Sequence, residues 1–351
     1  MKLKTRFKWF LVRLFRLIPD DGPVFYRQFK GRPEFLACLL KNALNPRRIW
    51  KKFSYGQVVP LPVAISKGTA LPKEIESAVR GPALEKALSD LRRDGVALME
   101  GFIPEEVCDQ ILEMNKQDER VFKATQTDQY RQIIGPVLDK TLVDLWLNPG
   151  LLGVLGSYAG RQPYARIYPS LTTTLPNYDQ PHTSEITDLS SYDRGLAVPW
   201  HYDAPNLYQF AVLLGDTTKE DSHMQVLAGT HRIHHQNMND DDTFLSDDAV
   251  DKYGFRAVDC IGPKGTVIFF DANAYHRLWA KKGSKRHWIK FEFTPGNSIM
   301  HHTITDRDTL PDPDGLLGDL LPGQRETLAG LYPGAIASKT PLEVIELKLD
   351  D

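Results

Sequence analysis

The segment Pro199-Trp200-His201-Tyr202-Asp203 decides how the rest of the chain is read. On an extended backbone successive side chains alternate sides, so His201 and Asp203 point to one face and Tyr202 to the other. A neutral imidazole and a carboxylate converging on one side make two-thirds of the facial set that holds non-haem iron(II) and leaves coordination positions open. His-x-Asp is a weak signal by itself, because so short a pattern arises often by chance. The reading therefore needs a third ligand and a cation for an acidic co-substrate.

The ten histidines of the chain supply candidates for the third ligand. His276 is the best placed. It follows the apolar run Gly265–Phe270 and the stretch Asp271–Tyr275, where a barrel strand would deliver it to the mouth of the same cavity. His231, His234 and His235 form a local tract that can also bind metal, and His182, His301 and His302 lie in polar, loop-like stretches. Arg286, at the head of His287–Phe293, suits the distal carboxylate of an oxo-acid, since a guanidinium fork pairs bidentately with a carboxylate. Lys285 and Lys290 are weaker candidates, and a surface ion pair is the plainer account of Arg286 taken alone.

Further outward, the 351 residues allow a large core and one to three domains. Cys38, Cys108 and Cys260 are widely spaced and odd in number, which argues against a disulfide framework and for a reducing, cytoplasmic compartment. The net charge of −2 is unevenly placed: residues 1–52 carry a surplus of eleven positive charges, leaving the remainder at −13. Within Met1–Ile18, Leu3, Phe7, Leu11, Leu14 and Ile18 recur at helical spacing, with Lys2, Arg6, Arg13 and Arg16 on a separate stripe. The segment is too interrupted for a secretory signal and too short and charged to span a bilayer. It suits peripheral contact with an anionic membrane surface, or packing of its apolar stripe on protein. Basic residues confined to an aromatic-rich helix, beside an acidic main domain, argue against nucleic-acid binding.

Prolines at 19, 23, 33, 46, 60, 62 and 72 read as an irregular arm over 1–80. The main domain, 81–300, opens with helices expected over Pro82–Arg93, Pro104–Asp118 and a broken run from Tyr130 to Tyr158, interrupted near Pro136 and Pro149. After Gly160 the texture turns to short strands: Tyr164–Tyr168, Phe210–Leu214, Met224–Leu227, Thr266–Phe270 and His287–Phe293. Helices first and strands afterwards predict an α+β fold with a closed sheet sandwich or barrel. Residues 301–351 read as a C-terminal extension. The polar stretch Thr172–Arg194 and the acidic stretch Asp240–Asp251 are candidate lids, the latter equally a solvated surface. Tyr164, Arg166 and Tyr168 share a strand face and could line the cavity, or Arg166 could serve a buried ion pair.

Taken together, these segments resemble the phytanoyl-CoA dioxygenase family of iron(II)/2-oxoglutarate oxygenases. The resemblance rests on the opening pentapeptide, Leu213-Leu214-Gly215-Asp216, Asp221-Ser222, the run from Met224 to Gly229-Thr230-His231-Arg232, Gly265 to His276, and Arg286. The segment from Leu91 to Val107 is similar to the family's entry, so about residues 85–295 are covered in the right order. It implies a double-stranded β-helix core of the jelly-roll, cupin-like kind, with N-terminal helices packed on it. It also implies His201, Asp203 and His276 as iron ligands, Arg286 on 2-oxoglutarate, and Gly229-Thr230-His231 as a structural turn. The expected activity is oxidation of a small-molecule or lipid-like substrate by O2, with 2-oxoglutarate converted to succinate and carbon dioxide. Halogenating relatives replace the carboxylate ligand by a small residue, so Asp203 favours hydroxylation or another oxidation. The chain departs from the family at Tyr202, where Gln is common, at Ala228, where Pro is usual, at Thr230, where Ser is usual, and at Asp221-Ser222, where Asn-Gly is usual. The competing class is a non-catalytic β-helix binding protein attached to a membrane by its basic helix, which has no reason to keep all four site residues.

Overall fold

The computed structural model describes residues 63–66, 70–115, 123–126, 130–134, 139–181, 199–203, 207–232, 244–294, 320–328 and 342–345. The basic helix expected over 1–18, the helical piece near Glu34–Asn45 and most of the 301–351 extension lie outside them. The described helices are α1 (Lys73–Glu76), α2 (Pro82–Asp94), α3 (Glu105–Met114), α4 (Lys140–Trp146), α5 (Pro149–Ala159), α6 (Asp247–Tyr253) and α7 (Pro322–Thr327). The strands are β1 (Val63–Ser66), β2 (Val96–Met99), β3 (Lys123–Gln126), β4 (Tyr130–Ile134), β5 (Tyr164–Ala165), β6 (Ser170–Thr174), β7 (Trp200–His201) and β8 (Tyr208–Leu213). They continue with β9 (His223–Leu227), β10 (Phe244–Leu245), β11 (Ala257–Cys260), β12 (Val267–Asp271), β13 (His276–Trp279), β14 (Arg286–Thr294) and β15 (Leu342–Ile345).

Two antiparallel sheets carry the fold. The larger runs β2-β12-β8-β14-β6-β4-β3 with β5 beside β14, the smaller β10-β7-β13-β9-β11, and β1 pairs with β15 apart from both. Alternation along the strands sorts the larger sheet into two faces. Phe210, Val212, Phe269, Ile289, Phe291 and Phe293 face outward and pack under Leu91, Trp146, Leu151 and Leu155 of the helices. Leu213, Ile268 and Phe270 face inward and meet Met224, Val226 and Cys260 of the smaller sheet. The result is the expected α+β architecture: a double-stranded β-helix whose larger sheet is covered by helices that come early in the chain. Phe210 anchors the helix-covered face, with Phe291 at 4.6 Å and Phe293 at 5.5 Å between ring centroids.

Turn chemistry sets the strand ends. Gly265 leads into β12 with φ +82°, and a Cβ there would lie 1.9 Å from the Ile103 carbonyl oxygen, so only glycine fits. Helix α5 begins at Pro149 and is capped by Asn148, whose side chain accepts from the Gly150 and Leu151 amides. The interruption expected near Pro149 is instead a helix start, because proline suits the first helical position. The beginning of the run expected to be helical, Tyr130–Ile134, differs as well. These residues instead form β4, paired in register with Ser170–Thr174, because a run with one aromatic and two β-branched residues in five gains more from pairing with a neighbouring strand than from helical spacing. Thr172–Thr174 belong to β6 and Asp247–Asp251 to α6, so neither stretch is a loop throughout; residues 182–198 and 233–243 are outside the described set.

Candidate active site

β7 and β13 lie side by side in the smaller sheet, joined in register by His276 opposite His201. Asp203 follows β7 by two residues, and its amide donates to the Ala272 carbonyl at 2.9 Å, which ties it to the end of β12. The three side chains meet: His201 Nε2 lies 3.7 Å from Asp203 Oδ1, and His276 Nε2 lies 3.7 Å from Asp203 Oδ2. One ligand atom from each lies within 4.8 Å of the others, and among the described residues no other group of three or more His, Cys, Asp or Glu side chains converges this way.

The chemistry of this donor set fits a metal. Each imidazole donates its Nδ1–H to a backbone carbonyl two residues earlier, His201 to Pro199 at 2.9 Å and His276 to Ala274 at 2.9 Å. A carbonyl only accepts, so the tautomer is fixed and the Nε2 lone pair of each ring faces the other and Asp203. Burial, aided by repulsion from His201 and opposed by Asp203, pushes His276 down to about 4, which keeps it a neutral ligand. Burial alone would raise Asp203, yet His276, His201, Lys290 and Arg166 outweigh it and hold the carboxyl below its ordinary value. The cluster offers two imidazole Nε2 atoms and one carboxylate.

Arg286 begins β14 and is buried at 4% exposure. Its Nη2 donates to Thr174 Oγ1 at 3.3 Å and its guanidinium carbon sits 4.3 Å from the Trp288 ring. Nε and Nη1 are buried with no hydrogen-bond partner among the described residues, and desolvation pushes the group down to about 10. A planar fork held by stacking, with two donors unanswered, fits a carboxylate. Lys290, two alternations further along β14, is instead paired with Glu292 at 2.6 Å. Arg166 meets the other oxygen of Glu292 at 2.9 Å, so its side chain serves an ion pair, as one of the two readings of the sequence had it. Lys285 is not among the buried residues.

The remaining histidines separate from the cluster. His231 sits in the turn Thr230–Arg232, where its backbone carbonyl accepts from Asn273 Nδ2 at 2.7 Å; His182, His234, His235, His301 and His302 lie outside the described residues. Tyr202 is buried on the far side of the smaller sheet, edge-on to Tyr275 at 5.8 Å. Two contacts escaped the sequence reading. Gln209 Nε2 donates to Asp203 Oδ2 at 3.3 Å, and the available signal was a lone amide within the otherwise apolar Tyr208–Leu213. Asp247 binds Trp200 Nε1 at 2.9 Å and Arg277 Nη1 at 2.7 Å, which nothing in an acidic stretch distinguishes from a solvated surface.

With this geometry in view, comparison with known proteins adds the lineage. The epimerase SnoN, in a complex with Fe3+, alpha ketoglutarate and nogalamycin RO, overlaps 62% of this chain and 85% of its own at 15% identity and a TM-score of 0.48. The carbocyclase SnoK from nogalamycin biosynthesis overlaps 70% and 95% at 18% identity and a TM-score of 0.42. HygX from Streptomyces hygroscopicus, with nickel, 2-oxoglutarate and hygromycin B bound, overlaps 60% and 86% at 12% identity and a TM-score of 0.42. No curated protein matches the sequence. The family profile described as phytanoyl-CoA dioxygenase (PhyH) matches residues 91–287, a span that holds His201, Asp203, His276 and Arg286, and the chain belongs to that family of iron(II)/2-oxoglutarate-dependent oxygenases.

Proposed function

We propose that the protein oxidises a small-molecule substrate, by hydroxylation or a related oxidation, with His201, Asp203 and His276 holding iron(II) and Arg286 holding the distal carboxylate of 2-oxoglutarate. The observation that carries this reading is the convergence of the two tautomer-fixed imidazoles on Asp203, next to a buried guanidinium with two unanswered donors. When bound, iron(II), 2-oxoglutarate and O2 together supply the oxidising power, with the keto acid leaving as succinate and carbon dioxide. The chain's own residues orient and exclude. The backbone carbonyls of Pro199 and Ala274 keep both rings in the ligating tautomer, and Asp203 supplies the single negative charge. Trp288 and Thr174 hold the Arg286 fork flat for a bidentate carboxylate. A carboxylate at position 203 favours oxygen insertion or desaturation over halogen transfer.

The test is anaerobic addition of iron(II) and 2-oxoglutarate to the purified chain. A weak visible charge-transfer band is expected, followed on admitting O2 by slow succinate formation. Asp203→Ala and His276→Ala are each expected to abolish both signals. Retained succinate formation in either variant would overturn the ligand assignment.

A further inference from the structure

We infer that Gln209 is a positioning residue that acts on the metal site through Asp203, an inference that rests on reading His201, Asp203 and His276 as metal ligands. Gln209 lies on β8 with no exposure to solvent. It shares the inward side of the larger sheet with Ala211 and Leu213, and its register neighbours are Phe270 on β12 and Glu292 on β14. From there its Nε2 donates to Asp203 Oδ2 at 3.3 Å. The amide can be oriented only one way. Turned over, Oε1 would face the carboxylate and set two acceptors against each other.

What remains is a cost. With Nε2 committed to Asp203, Oε1 is buried with no hydrogen-bond partner among the described residues, and a buried unpaired carbonyl is destabilising. An apolar side chain of similar size would serve the sheet at least as well, so the contribution of the amide lies at Asp203. Oδ2 faces His276 and Oδ1 faces His201, each at 3.7 Å. A donor fixed on Oδ2 restrains the carboxylate to one rotamer and leaves its remaining lone pairs directed at the space between the imidazoles. Partners of this kind commonly account for ten- to hundredfold in metal affinity.

The experiment uses the full-length chain freed of metal and titrated with Co(II), followed by the visible spectrum, in the wild type, Gln209→Met and Gln209→Asn. Gln209→Met is expected to leave the metal-free melting temperature unchanged or raised, while the Kd for Co(II) rises roughly ten- to hundredfold and the visible bands of the saturated protein shift. Gln209→Asn keeps the amide but falls one methylene short of Asp203; should the Met variant fail to fold, it carries the same expectation. A Kd within about twofold of wild type and an unchanged spectrum in a folded variant would overturn the role of Gln209. A wild-type chain that binds no Co(II) would overturn the triad itself and the inference with it, so the two failures are distinguishable.

Discussion

A guanidinium at 4% exposure with Nε and Nη1 unanswered among the described residues bears a desolvation penalty that an incoming anion would relieve. Arg286→Lys keeps the charge but loses the planar fork and the stacking on Trp288. It is expected to raise the KM for 2-oxoglutarate roughly thirtyfold, about 2 kcal/mol for a lost charge-assisted hydrogen bond, with a smaller effect on kcat. Initial rates of succinate formation against 2-oxoglutarate concentration would check this, and an unchanged KM would remove Arg286 from the co-substrate. The four candidate residues stand out in the sequence because a period of two places His201 and Asp203 on one side, and because His276 and Arg286 sit at strand starts. Tyr202 does not, because the residue between two convergent side chains faces away from them, here into contact with Tyr275. Gln209 was equally hidden, since its meaning depends on an Asp203 contact that no local pattern encodes.

At the scale of elements, the strands that carry His201 and His276 are tied together by their outward side chains as well as by backbone pairing. β7 and β13 share a single register pair, His201 with His276. On the opposite face their neighbours Trp200 and Arg277 stack at 4.1 Å, and both bind Asp247 of α6. Arg277 also donates to Gln225 on β9, so one guanidinium fastens three strands and a helix. Both members of the Arg277–Asp247 ion pair are largely buried, at 7% and 15% exposure. Arg277→Leu is therefore expected to cost about 3 kcal/mol by leaving Asp247 desolvated beside a lost cation, read as a lower urea midpoint with an unchanged slope. A stability loss, midpoint shift multiplied by slope, of less than about 0.5 kcal/mol would show that the clamp is dispensable. β10, two residues long, has no period to read and no counterpart among the expected strands, whereas β7 and β13 were visible only through the alternation of His201 with Asp203 and the position of His276 after an apolar run. The longer β8, β12 and β14 were visible because their apolar runs are flanked by turn residues.

The whole molecule combines a core that composition and element order foreshadowed with a charge balance that they did not. Asp94, Asp203 and Asp259 are held below the ordinary carboxylate value by their cationic and hydrogen-bonding neighbours. A depressed carboxyl contributes stability at neutral pH that is lost as the pH falls through its folded value. Asp271, at the end of β12, runs the other way. At 7% exposure it is pushed up to about 6 by burial, against hydrogen bonds from Tyr158 Oη at 2.6 Å and the Asn273 amide at 2.9 Å. The folded state then holds this proton more tightly than the unfolded chain. The associated stability is complete below the ordinary carboxyl value and is lost as the pH rises through about 6. A difference of about two units corresponds to roughly 3 kcal/mol of relative destabilisation at neutral pH. Asp271→Asn cannot ionise, so the stability of the variant relative to wild type should move in its favour by about that amount between pH 4 and pH 7. Urea unfolding of both proteins across that range isolates Asp271 from the other carboxyls, which are common to both. A difference independent of pH would mean that Tyr158 and Asn273 already keep Asp271 ionised at no cost.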